Sequence, residues 1–152
     1  MIQCTLELKP EFNRPVIRIP EFYNFDALLD TGSMLPVWCA SESSLIRLGG
    51  EKILDYAPFG GFGGETHGKL YSIPLFQMGK LMYPHMNIIV HDNFFSIAPL
   101  ILPATMFNNL IYEINNKTHR LNITVPDDES ISRNLTIKDE GGHLRVFCTS
   151  AA

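Results

Sequence analysis

Positive charge is scarce and scattered in this sequence. The 152 residues include 12 Lys and Arg against 16 Asp and Glu, for a formal net charge of −4, and no basic cluster forms. Phosphate binding needs concentrated positive charge, so a nucleic-acid partner is not expected. Long apolar runs are missing as well. The longest, around "FFSIAPLILP", is broken by Pro99 and Pro103 and is too short to span a bilayer, so no membrane partner is expected. The opening "MIQCTLELKPEF" alternates apolar and polar residues and lacks the basic start and apolar core of a secretory signal, which points to the cytoplasm. Cysteine is rare: Cys4, Cys39 and Cys148, with no CxxC spacing. That excludes a disulfide framework and a zinc site, and predicts free buried thiols in a reducing compartment. Three sequons, at Asn116, Asn122 and Asn134, carry little weight without a leader.

Several chemical signatures are also absent. The five histidines show no HExxH or paired spacing, which argues against a metal site. Ser41 to Ser44 lie outside any GxSxG setting, so a serine hydrolase is not indicated. No GxGxxG or Gly-Lys-Ser/Thr accompanies the glycines, so a phosphate loop is not indicated either.

The residues that are plentiful point to β-structure. Hydrophobic residues make up 45% and charged ones 18%, the balance of a folded chain. Ten Phe, five Tyr, ten Pro and eleven Gly favour strands with many turns. "IQCTLEL", "RPVIRIPEF", "FDALLD" and "MLPVWCA" read as successive extended segments, the second marked as an edge or bend by Pro15 and Pro20. "SESSLIRLGG" reads as a short helix capped by Ser41 or Ser43, with Leu45, Ile46 and Leu48 as its apolar face and Gly49 at its end. "APFGGFGGETHG" is a glycine-rich loop, and "KLYSIPLFQM" and "LMYPHMNIIV" form a meander after it. A loop through "HDNFFSI" leads into a buried strand, and "PATMFNNLIYEI" reads as a second short helix with Pro103 near its first turn. Two hairpins follow, around Asn115–Lys117 and around Glu140–Gly142, separated by the polar turn "DDES". The expectation is one mostly-β domain over residues 1–152.

One stretch stands apart. "FDALLDTGSMLPVW" drives an apolar strand into Asp30, followed by Thr31, Gly32 and Ser33. A carboxylate at the end of a core strand has to be neutralised, paired or well hydrogen-bonded. Gly32 lets the chain turn and lets backbone N–H groups reach the carboxylate, while Thr31 and Ser33 add small hydroxyls. Two such carboxylates brought face to face share one proton. One can then act as base toward water while the other polarises a carbonyl. The remaining acids, including Asp26, Asp55, Asp92 and Asp127 to Glu129, sit in polar or turn contexts and are expected to be solvated. Cys39 is expected in the core.

Leu28-Leu29-Asp30-Thr31-Gly32-Ser33 resembles the catalytic motif of aspartic proteases: two apolar residues, Asp-Thr-Gly, then Ser or Ala. Pepsin-like enzymes carry that motif twice in a chain more than twice as long. One copy in a short chain resembles the retropepsins, the retroviral-type homodimers, here as a non-viral, bacterial-like member. "FGGFGGETHG" is similar to the retropepsin flap, with Gly60, Gly61, Phe62, Gly63 and Gly64 at its tip. "PLILPATMFNNLI" is similar to the family's apolar strand and C-terminal helix, except that Pro103 stands where a Gly is expected and the Arg that often follows is absent. The resemblance covers roughly Phe22 to Ile114, and the C-terminal hairpins, about 113–148, extend beyond the viral-type core.

The resemblance implies an all-β, single-lobe closed barrel with one or two short helices and a β-hairpin flap. It implies an aspartic endopeptidase active as a homodimer on an extended peptide or protein substrate, with no metal or organic cofactor. Asp30 of each chain would activate water, Thr31 would brace the two loops, and Gly32 and Ser33 would support the carboxylate. Phe94, Phe95, Ile97 and Leu100 would line a cleft preferring apolar or aromatic side chains, or serve partly as core. "IQCTLEL" and "HLRVFC" are candidates for an interleaved dimer sheet. The alternative is a non-catalytic dimeric β-module that binds extended peptides.

Overall fold

Apolar and polar side chains alternate along most of the chain, and the backbone is extended accordingly. The structure, a computed structural model, describes residues 2–30, 32–61, 64–91, 97–126, 135–140 and 143–148. In β1 (Ile2–Glu7) the side chains of Cys4 and Leu6 are buried while their neighbours are partly or fully exposed. This strand pairs antiparallel with β10 (Arg120–Val125), which pairs with β9 (Ile111–Asn115) to complete a three-stranded sheet.

The second sheet has nine strands. Its main path runs β11 (Leu135–Glu140), β12 (His143–Cys148), β7 (Leu81–Val90), β4 (Val37–Trp38), β8 (Leu100–Pro103), β3 (Phe25–Asp30), β2 (Val16–Ile19). The other edge of β7 carries β6 (Gly64–Met78), which in turn carries β5 (Glu51–Gly61). One isolated bridge, Leu8 with Ile17, links the end of β1 to the outermost strand β2, so the two sheets wrap round shared contents. The main core draws on both, from Leu6 and Ile123 of the small sheet to Ile17, Trp38, Phe76 and Leu100 of the large one. The all-β class expected from the residues is the class observed. No helix among the described residues is long and apolar enough to cross a membrane.

Turn chemistry sets the joints. Gly79, with φ of +62°, turns β6 into β7. A Cβ built there would lie 2.1 Å from Cys4 Sγ, so the thiol of β1 fills the space that glycine leaves open. The helix α1 (Glu42–Arg47) is capped by Ser41, whose Oγ accepts from Ser44 N at 3.3 Å, and Gly49 follows it with φ of +91°. Its apolar face is narrower than expected, since Leu45 is buried but Ile46 is 52% exposed.

Two expectations shift. The second helix shrinks to a 3-10 turn over Ala104–Phe107, and "LIYEI" becomes β9. Asn109 with φ of +66° redirects the chain there. The glycine-rich stretch is no open loop but the end of a long hairpin whose first arm begins at Glu51. The C-terminal hairpins are tied into both sheets, β10 beside β1 and β12 between β11 and β7. One edge of "HLRVFC" is paired along its length with β11 and the other at Val146 and Phe147 with β7, whereas β1 pairs along one edge among the described residues. The turn residues 141 and 142, the polar turn 127–130, Asp92 and Asn134 lie outside the described residues.

Candidate active site

The central strands have two apolar faces. Ala27 and Leu29 of β3 enter the main core, while Leu28 joins a second cluster with Val16, Val37, Ala57, Ile89, Ala98 and Ile101. The period of two puts Asp30 on the side of Leu28. β8 runs parallel to β3 on one edge and antiparallel to β4 on the other. The segment 31–36, which joins β3 to β4, therefore crosses over the end of β8, where Asp30 pairs with Pro103. Proline closes that strand without stranding an N–H donor. It takes the position where the resemblance expects glycine and still keeps β8 in register with Asp30.

Asp30 is half-buried at this crossing. Gly32 N–H donates to its Oδ1 at 2.8 Å, and Ser33 N–H donates to its carbonyl at 3.2 Å. A Cβ on Gly32 would come within 3.2 Å of the same Oδ1, so glycine is what permits this approach. Ser33 is buried, and its Oγ donates to Leu35 O at 2.7 Å. It thus braces the loop rather than the carboxylate. Among the described residues Asp30 Oδ2 has no partner, which leaves one carboxylate oxygen for a ligand. Thr31 lies outside the described residues.

The glycine hairpin rises from the same floor. β6 pairs with β7 as far as Lys69 opposite Val90. Beyond that, residues 64–68 pair with residues 57–61, ending with Gly60 opposite Glu65 and Gly61 opposite Gly64. Ala57 and Leu70 root this arm in the second apolar cluster, beside Leu28 and Ile101. Gly68 marks the departure point, since a Cβ there would meet Val90 O at 2.5 Å and Ile89 Cγ2 at 2.8 Å. Phe62 and Gly63, at the tip, lie outside the described residues, as do Phe94 and Phe95. Of the other cleft candidates, Ile97 is 40% exposed, whereas Leu100 is fully buried in the main core.

Three features here were not read from the sequence. Met34, just after the loop, is 68% exposed. Glu42 of α1 accepts from Lys69 Nζ at 2.7 Å and from the Tyr71 hydroxyl, tying the helix to β6 where the arm begins. Those bonds, Lys69's first, hold the Glu42 carboxyl below its usual range, while burial and then the Glu42 bond push Tyr71 up to about 12. Lys9 pairs with Asp26 at 2.9 Å, so Asp26 is a half-buried partner rather than a solvated acid. An isolated glycine inside a strand pattern, Gly68, was the available signal for the arm's base. The two ion pairs join residues too far apart in sequence to leave one.

No family model matches the chain, and no curated protein does. Among solved structures, a retropepsin-like aspartic protease from Rickettsia conorii superposes with a TM-score of 0.49 and 11% identity, over 80% of this chain and 89% of that one. At that level the likeness assigns no residue a role.

Proposed function

We propose that the chain is a retropepsin-like aspartic endopeptidase whose active form is a homodimer. The observation that carries this reading is the state of Asp30. It sits at a strand end, with Oδ1 held by the Gly32 amide and Oδ2 open, at the foot of a glycine-tipped hairpin arm. A lone carboxylate in that setting is half of a water-activating pair. A facing Asp30 of a second copy supplies the other half, and two such groups share one proton. The ionised member takes a proton from water, and the protonated member donates to the scissile carbonyl oxygen. Gly32 orients the carboxylate, Ser33 fixes the loop, Thr31 braces the two loops, and residues Gly60 to Gly64 close over an extended peptide.

Three unpaired thiols suit a reducing, cytoplasmic setting. No cofactor enters the chemistry. Asp30→Asn is expected to lower peptide cleavage by roughly 10²–10⁴-fold or more, with circular dichroism and dimer mass unchanged. Undiminished cleavage by that variant would falsify the mechanism and favour the peptide-binding β-module.

A further inference from the structure

We propose that the cleft between the β1–β2 loop and the β9–β10 turn binds an acidic peptide segment, a carboxylate side chain next to an apolar one. As a selector of substrate it deepens the proteolytic reading and rests on it; as a binding site it does not.

The cleft has a volume of about 550 Å³, within the range of pockets that enclose small ligands. Leu8, Pro10, Phe12, Pro15 and Ile114 supply apolar wall. Lys9, Arg14 and His119 supply cationic or protonatable groups, Asn13 and Asn116 supply amides, and no acid lines it. Lys9 is committed to Asp26 at 2.9 Å and to Glu11 at 3.6 Å. Arg14 is different: its guanidinium has no partner among the described residues, and neither has the His119 imidazole. On a chain of net charge −4, an unpaired guanidinium over apolar wall is a feature that asks for an anion.

Arg14 can grip a carboxylate through two parallel N–H donors. Asn13 and Asn116 can donate to and accept from a peptide backbone, and Phe12 offers a ring to an apolar side chain. A single free guanidinium is thin for a phosphate-rich ligand, which needs several cations. The wall of the cleft also touches the strand that carries Asp30. Phe12 packs on the apolar cluster beneath Asp30, and Pro15 O accepts from Leu29 N at 2.9 Å, one residue before Asp30. Its opposite wall comes from the β9–β10 hairpin, part of the C-terminal segment that the viral pattern leaves unexplained.

The test uses full-length Asp30→Asn protein, labelled with ¹⁵N, titrated with acetyl-Phe-Glu-amide and separately with acetyl-Phe-Gln-amide. The Glu peptide should bind about tenfold more tightly, shifting the amides of Phe12, Arg14, Ile114 and His119. Arg14→Gln should level the two peptides, and Arg14→Lys should keep part of the difference, which a merely structural arginine would not give. Equal binding of both peptides, no binding of either, or shifts confined to other surfaces would overturn the proposal. Cleavage of peptide libraries by the unaltered protein reads the other question. Binding without any cleavage leaves the cleft standing and removes the protease reading, whereas cleavage without Glu preference does the reverse.

Discussion

At the scale of single residues, the site depends on a contact that tolerates no added carbon. Gly32→Ala would place a methyl 3.2 Å from Asp30 Oδ1 and force a shift of a few tenths of an ångström. Misplacing a reacting group by about 1 Å can cost about 10²-fold, so a fall of roughly tenfold in kcat is expected here, measured beside an unchanged Tm. Far from Asp30, Tyr83 donates to Met106 O at 2.5 Å in a fully buried setting. Tyr83→Phe leaves that carbonyl unpaired and should cost about 1–3 kcal/mol in chemical denaturation. Burial raises Tyr83 well above its ordinary value and pushes the Cys39 and Cys148 thiols up to about 11. Below the ordinary thiol value of 9.0 these groups are protonated folded and unfolded, and contribute no pH dependence. Above it the unfolded thiols ionise first, the unfolded state binds fewer protons, and stability must fall as pH rises toward about 11. Denaturation midpoints across that range measure the slope. The Gly32 amide on the Asp30 carboxylate was legible in the sequence because the contact is local. Arg14, Glu42 and Tyr83 were not, because each takes its meaning from residues brought to it, or withheld, by the fold.

At the scale of elements, the hairpin of β5 and β6 is fixed at its base. Gly68 allows β6 to pass close under Val90 O, and an added methyl at 2.5 Å from that oxygen cannot be absorbed by a flexible side chain. Gly68→Ala should therefore pry β6 from β7 at the arm's base and destabilise the protein by about 1–3 kcal/mol. Hydrogen exchange should locate the loss at Lys69 to Tyr71 and Ile88 to Val90, and retained protection there would remove the argument. The alternation of β1 and the apolar runs of β3 and β7 announced those strands. β5 was missed because Pro58, the glycines after it and bulges between Lys52 and Ala57 break its period. The second helix was overcalled because Asn108 and Asn109 end it within one turn, a local signal that the apolar pattern outweighed.

At the scale of the molecule, the proposed homodimer, with one Asp30 per chain, would make the reaction a property of two. Equal amounts of unaltered and Asp30→Asn protein, exchanging freely, leave about a quarter of the dimers with two aspartates. Activity should then drop to about half that of the same unaltered protein alone, while no drop would place the whole reaction within one chain. The all-β class was readable from composition and alternation, but the sheet order was not, since it depends on pairings such as β3 with β8 across seventy-odd residues of sequence. One such meeting has a practical use. Cys4 Sγ fills the space left by Gly79 and the residue is only 7% exposed, so alkylation should be slow while β1 stays seated. Cys39 is half-buried and so more open to reagent than Cys4. The rate at which Cys4 is alkylated, set against Cys39 in the same sample, is thus a clock for the release of the N-terminal strand, read by mass spectrometry without adding any label to the chain.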